Sequence, residues 1–242
     1  MGNSKSPFIT IVIVVAITVF LIGIIVLLNN NNPNQGNFGI PNLTEITAAL
    51  ELDNDQLTQC LEEGKAFIAV NDDLASGEAA GVTGTPGNFL VNNTTGLAIF
   101  AGGAYPLESM KASVAKLLDE NAAEGDIAWA DETSGVELVV AKVSNLVPVS
   151  ESDHVRGNVG TPISLIEYSD LDCPYCARFH PTAAQLVIDD QENVNWVFRH
   201  FPLRRTHATA QKKAEATECA FEQGGIEPFW RMIDAFYSSQ EN

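Results

Sequence analysis

Ile163-Ser164-Leu165-Ile166-Glu167-Tyr168-Ser169-Asp170-Leu171-Asp172-Cys173-Pro174-Tyr175-Cys176 is the stretch on which the reading of this chain turns. Ile163 to Tyr168 is an apolar run suited to a buried strand, and it ends shortly before a Cys-x-x-Cys. Pro174 stands where a first-turn proline is tolerated, so a helix is expected to begin at the cysteines. A cysteine there lies beside unsatisfied backbone N–H groups and the positive end of the helix dipole, which stabilises its thiolate and lowers its pKa. A second cysteine one turn on, on the same face, can displace a mixed disulfide. Cys173 is therefore the expected nucleophile and Cys176 the resolving thiol, with their disulfide as the redox group and no other cofactor. The same spacing makes half of a tetrahedral zinc site, for which His180 would be a third ligand. No second Cys-x-x-Cys exists, and a preceding strand with Pro174 suits a redox helix, so no metal is expected.

Working outward, Val194 to Phe198 reads as the next strand, followed by helices over Thr206 to Gln223 and Glu227 to Ser238. Upstream, Leu43 to Leu61 is helical, with Asn42 or Thr44 as N-cap and a break at Asp53-Asn54-Asp55. Glu62 to Ala80 continues as helix, with Phe67, Val70 and Leu74 as its core stripe. Gly81 to Gly87 is rich in turn residues, and Asn88 to Val91 and Gly96 to Phe100 alternate like two strands joined by a turn at Asn92-Asn93. A helix follows from Pro106 to Leu118. Residues 119–160 hold one strand candidate, Val136 to Val143, in an acidic stretch that reads as a connector.

The chain has 242 residues, 45% of them hydrophobic, enough for a membrane segment plus one or two folded domains. Asp and Glu outnumber Lys and Arg 31 to 13, for a formal charge of -18, which argues against nucleic acid or an anionic membrane surface as partner. Phe8 to Leu28 carries no charge, and as a helix it would reach about 32 Å, matching a hydrocarbon core of about 30 Å. Lys5 precedes it, and no Lys or Arg follows until Lys65, so residues 1–7 are expected in the cytoplasm and the bulk of the chain outside. A cleaved signal peptide is the competing reading. The run is longer than a usual signal core, however, and ends without a small-x-small pattern. Residues 29–40, rich in Asn and Gly, read as a flexible spacer.

The run from Ile166 to Cys176, with Phe179-His180-Pro181 and then Phe198-Arg199-His200-Phe201-Pro202-Leu203, resembles the first half of DsbA-like thioredoxin-fold proteins. Gly81-Val82-Thr83-Gly84-Thr85-Pro86, followed by a hairpin and a helix, resembles the second half, where that family has a cis-proline loop facing the active disulfide. The resemblance implies an α/β thioredoxin-like fold with a helical insertion, behind one N-terminal transmembrane helix. The halves stand in the opposite order to the family's, so the chain reads as circularly permuted. On that reading residues 41–80 and 201–242 make up the helical insertion, 81–118 the cis-proline half and 161–200 the Cys-x-x-Cys half. The old ends are joined by 119–160, and about forty residues can span most small domains. A swapped dimer, or halves that never complete one sheet, are the alternatives.

The resemblance carries roles with it. Thr85-Pro86 is the expected cis peptide, leaving the Thr85 backbone free to pair with an extended substrate, with Pro174 and Tyr175 beside it. Glu167 is implied as the buried acid that assists proton transfer to and from the cysteines; the plain alternative is a carboxylate that reaches solvent or a lysine. Cys60 and Cys219 both fall in the helical insertion and are expected to form a structural disulfide, two free buried cysteines being the alternative. His180 and His200 could tune the thiolate or be satisfied structural histidines. The implied function is a membrane-anchored, extracytoplasmic thiol–disulfide oxidoreductase. It would oxidise cysteines of secreted or membrane proteins and be regenerated by a membrane redox partner. A peptide-binding or scaffold module, with a structural disulfide or zinc at the Cys-x-x-Cys, is the reading from a different class.

Overall fold

A computed structural model describes residues 38–240. The expected anchor at 8–28 and nearly all of the spacer lie outside the described residues. Among the described residues no helix is long and apolar enough to cross a membrane. Residues up to Thr44 form one unit, which includes the start of helix α1 (Leu43–Ala49), and the chain from Glu45 onward forms the other.

The body is built on a seven-stranded mixed sheet. In chain order its strands are β1 (Gly87–Asn92), β2 (Leu97–Gly102), β3 (Ile127–Asp131), β4 (Val136–Lys142), β5 (His154–Arg156), β6 (Ile163–Ser169) and β7 (Val194–His200). In space they run β3-β4-β2-β1-β6-β7-β5. β6 and β7 are parallel, and every residue of both is buried, as expected of central strands covered on both faces. β1 lies antiparallel to both β6 and β2, with Gly87 opposite Tyr168 and Gly102. The pair β1-β2 precedes β6-β7 in the chain yet completes their sheet.

The remaining helices are α2 (Asn54–Glu63), α3 (Lys65–Ala79), α4 (Leu107–Leu118), α5 (Pro174–Asp189), α6 (Ala210–Gly224) and α7 (Ile226–Ser238). Asp53 caps α2, its side chain accepting from the Asp55 and Gln56 N–H groups, which is why the expected break falls at that cluster. A second break occurs at Gly64, whose φ of 70° ends α2 in a left-handed turn, so the helix expected to run on from Glu62 is interrupted. The turn resets the face of α3. Phe67 is 47% exposed rather than core, and Ala66, Val70 and Gly77 make the buried stripe. Gly77 permits the close approach, because a Cβ there would lie 2.7 Å from both Phe201 and Tyr168. α3 thus packs on a cluster of Val82, Phe89, Ile166, Tyr168, Val197 and Phe201. On the layer formed by α6 and α7, Phe198 meets Phe229 and Trp230.

Residues 119–160 are not a loose connector. β3 and β4 extend the sheet beyond β2, and β5 caps the other edge against β7. Val143, Leu146 and Val149 cover the apolar cluster. The Arg199 guanidinium, itself buried, holds that segment by donating to Asp153 and to the Val147 and Pro148 carbonyls. The turn between β1 and β2 is also longer than expected at Asn92-Asn93. The Asn92 carboxamide accepts from the Thr94 and Thr95 N–H groups, and Gly96, at φ 71°, closes the loop.

The helices at the two ends of the body form one layer. α2 and α3 pack on α6, and Cys60 of α2 is bonded to Cys219 of α6 across 159 residues of chain. Asp53 and Gln223 exchange two further hydrogen bonds across the same contact.

Candidate active site

β6 ends at Ser169, and a short loop turns the chain into α5 with Cys173 as the N-cap residue and Pro174 in the first turn. That loop is fastened from below. Asp170 accepts from the Asp172 and Leu203 N–H groups and pairs with His207 at 2.9 Å. Asp172 accepts from Thr209 and from Lys213, whose ammonium is 2.7 Å away and almost fully buried. The position of Cys173 is therefore set by α6 and its preceding loop as well as by its own helix.

The Thr85–Pro86 peptide is cis and lies opposite the cysteines, with the Cys173 thiol 3.4 Å from the Thr85 carbonyl oxygen. The loop is held in place by the Gly103 N–H, which donates to the Pro86 carbonyl. Residues far apart in sequence, Thr85, Pro86, Cys173 and Cys176, thus meet in one place. Cys173 and Cys176 are both free thiols here. Cys173 is only 3% exposed and Cys176 not at all, whereas Tyr175 between them is 55% exposed, with the Arg178 guanidinium over its ring.

The two sulfurs differ in chemistry. Donation from the Cys176 thiol brings Cys173 down to about 5, against the effect of burial and with help from Thr85 and the Cys176 and Tyr175 N–H groups. Cys176 is pushed well above its ordinary value, first by burial and then by the Cys173 and Glu167 charges beside it. Glu167 is fully buried on the face of β6 that looks toward them, and burial raises its carboxyl to about 7. Its Oε1 accepts from the Ser169 hydroxyl at 2.5 Å, and its Oε2 has no hydrogen-bond partner among the described residues. Ser169 in turn lies 2.8 Å from the Tyr237 hydroxyl of α7.

The histidines do other work. His180 is 2.7 Å from Asp234, which also binds Arg156, and its ring rests on Trp196 and Tyr237. His200 and His154 share Oε1 of Glu218 at 3.1 and 2.9 Å. Among the described residues no group of three His, Cys, Asp or Glu side chains is arranged to hold a metal ion. Sequence reasoning did not single out Ser169, Tyr237 or Lys213. Ser169 lies inside the decisive stretch, where its burial could have been suspected. Tyr237 and Lys213 become neighbours of the site only through the packing of α6 and α7.

Together the sheet and the cysteine pair define the class: a thioredoxin-like α/β fold with a dithiol at a helix start and a cis-proline loop opposite it. Residues 149–242 match the sequence model of the family described as Thioredoxin. Among curated proteins the chain is similar to the Na(+)/H(+) antiporter NhaA 3 of Salinispora tropica, 42% identical over 97 residues, covering 40% of this chain and 14% of that protein. It is also similar to the Na(+)/H(+) antiporter NhaA 1 of Mycolicibacterium gilvum, 37% identical over 92 residues, covering 38% and 14%. A similarity to the Na(+)/H(+) antiporter NhaA of Herminiimonas arsenicoxydans, 30% identical over 113 residues, covers 46% and 16%. The matches thus span a small part of each relative's length. Among solved structures, DsbA2 of Pseudomonas aeruginosa is 34% identical with a TM-score of 0.35, covering 37% of this chain and 50% of that one.

Proposed function

We propose that this chain is a DsbA-like thiol–disulfide oxidoreductase, anchored by Phe8 to Leu28 with its N-terminus in the cytoplasm and its catalytic body outside. It oxidises cysteines of secreted or membrane proteins. A client thiolate attacks Cys173 of the Cys173–Cys176 disulfide, the S–S bond breaks, and its electron pair leaves on Cys176, which takes up a proton. The second client thiolate then attacks the client sulfur of the mixed disulfide, and Cys173 leaves as a thiolate. The client has lost two electrons and the enzyme pair has gained them, so a membrane redox partner must reoxidise the pair for another turn. No cofactor beyond the disulfide is needed.

The observation that carries this reading is the asymmetry of the sulfurs: Cys173 is held at about 5 and Cys176 well above the ordinary thiol value. A low-pKa thiol is the better leaving group, which favours release of an oxidised client. The Thr85 carbonyl beside Cys173 supports docking of an extended client segment by backbone hydrogen bonds. Circular permutation accounts for the order of the halves, since β1-β2-α4 completes the sheet of β6-α5-β7 from the wrong side of the chain and both chain ends feed one helical layer.

A redox titration of the full chain in glutathione buffers, with each cysteine's state mapped by peptide mass, tests the reading. A potential for the pair near roughly -120 mV marks an oxidase and one near roughly -270 mV a reductase. A Cys176→Ala variant should trap clients on Cys173. A pair that never exchanges with glutathione would overturn the assignment in favour of a binding module.

A further inference from the structure

Lys213 is a buried lysine with no part in the exchange chemistry described above. It stands one turn into α6, with its ammonium 2.7 Å from Oδ1 of Asp172, 3.3 Å from the Leu171 carbonyl and over the Phe236 ring of α7. Two oxygens and the face of a ring thus surround its three N–H donors. Both oxygens belong to the turn that presents Cys173, and the Cys173 N–H closes that turn by donating to the Asp170 carbonyl at 3.0 Å. Thr209, the N-cap residue of α6, takes the other oxygen of the same carboxylate, its N–H and its hydroxyl both donating to Oδ2. Against burial, which raises it, Lys213 and Thr209 hold the Asp172 carboxyl below its ordinary value. Asp172 is therefore an anion one residue from the sulfur that must ionise. The other charged groups about the turn are Asp170, paired with His207, Glu167 on β6, and Arg178 on α5, whose guanidinium lies over the Tyr175 ring.

We propose that Lys213 is a positioning residue that acts on Cys173 through Asp172, holding that carboxylate at the start of α6 and cancelling its charge beside the nucleophile. This rests on the oxidoreductase reading above. The side chains of Lys213 and Asp172 are 8% and 17% exposed, so water screens their charges little and the ammonium does the work that solvent does at a surface. When an oxidised client is released, Cys173 leaves as a thiolate, and an unpaired carboxylate in the same turn would oppose that step most. With Lys213 in place the turn before the sulfur presents a neutral pair instead. A buried ion pair adds little net stability compared with well-packed apolar side chains, so the effect of removing both partners falls on neither the fold nor the sulfur, while removing one unbalances the site.

The test uses the full chain and the variants Lys213→Met, Asp172→Asn and the two together. Alkylation of reduced Cys173 by iodoacetamide is followed from pH 3 to 9 by peptide mass, and exchange of the wild-type disulfide with glutathione is measured alongside. Lys213→Met should raise the Cys173 midpoint by roughly one unit, so that at pH 4 a roughly tenfold smaller share of the sulfur is thiolate. Asp172→Asn leaves the ammonium without its anion and should move the midpoint downward by a similar or smaller amount. The double variant should return it to within about 0.3 units of wild type. Mere loosening of the fold would not give that return, because two buried substitutions loosen it more than one. Should Lys213→Met not fold, Asp172→Asn and the double variant decide. If the wild-type chain exchanges with glutathione but the midpoints of the variants coincide with its own, or the double variant departs as far as Lys213→Met, the role of Lys213 is wrong and the oxidoreductase reading stands. If the wild-type chain does not exchange, both fall.

Discussion

Two buried glutamates divide the molecule. Glu167, on β6, has the Ser169 hydroxyl as its donor, and burial lifts it to about 7. Glu218, on α6, suffers the same burial but receives hydrogen bonds from His154 and His200, which hold it at about 2. Depth in the protein is therefore not what decides the charge of a buried carboxyl; the charge and number of its donors are. Two imidazoles make a fixed anion that ties α6 to β5 and β7. Neutral side chains alone, Ser169 and Trp196, oppose the effect of burial on Glu167 and leave a group that can gain or lose a proton near neutral pH, beside the thiols that need one.

The largest expected effect falls on the structural glutamate. Glu218→Ala should destabilise the fold by about 3–5 kcal/mol in denaturant unfolding, because it leaves two buried imidazoles without their partner. It should leave the midpoint for Cys173 alkylation unchanged. Glu167→Gln should do the reverse. A carboxyl raised from 4.5 to about 7 stabilises the folded state fully below pH 4.5 and loses that contribution as pH rises to 7, about 3 kcal/mol in all. The glutamine variant should lack this decline in a stability-versus-pH series. Asp73, raised by burial to about 6, adds a decline of equal slope and similar size between 3.8 and 6 that should remain. Glu218, depressed from 4.5 to about 2, contributes above pH 4.5 and loses its contribution as pH falls toward 2. Unfolding measured between pH 2 and 8 should thus separate the two glutamates by window. Equal slopes in wild type and Glu167→Gln would break the comparison.

A smaller effect is expected from removing the Cys60–Cys219 bond, which stands beside Glu218 and closes 159 residues of chain. The double alanine variant should lose roughly 2–3 kcal/mol, with the reactivity of Cys173 unaltered. The smallest belongs to Tyr175, which is 55% exposed. Tyr175→Ala should stay within about 0.5 kcal/mol of wild type in thermal unfolding while changing the reduction potential of the pair.

Much of this was legible in the sequence where the signal is local. The apolar run before Cys173, Pro174 after it, and the Gly-rich loop ending in Thr85-Pro86 each announce a conformation by composition. What was missed depends on packing at a distance. β3 is five residues with an exposed end and β5 is three, and neither repeats long enough to reveal a strand without the edge it pairs with. Phe67 sits at helical spacing with Val70 and Leu74, but the Gly64 turn rotates it outward, where the Arg204 guanidinium lies over its ring. Ser169 and Tyr237 have no shared signal in sequence; only α7, laid against the end of β6, brings their hydroxyls together.

The central claim is that Cys173 is the low-pKa nucleophile of a buried, asymmetric pair. Its most direct test is alkylation of the reduced full chain with iodoacetamide from pH 3 to 9, the modified cysteine being identified by peptide mass. The account predicts that Cys173 is modified with a midpoint near about 5 and that Cys176 stays unmodified throughout. Modification of both sulfurs together with a midpoint near about 8.5, or of Cys176 first, would contradict it.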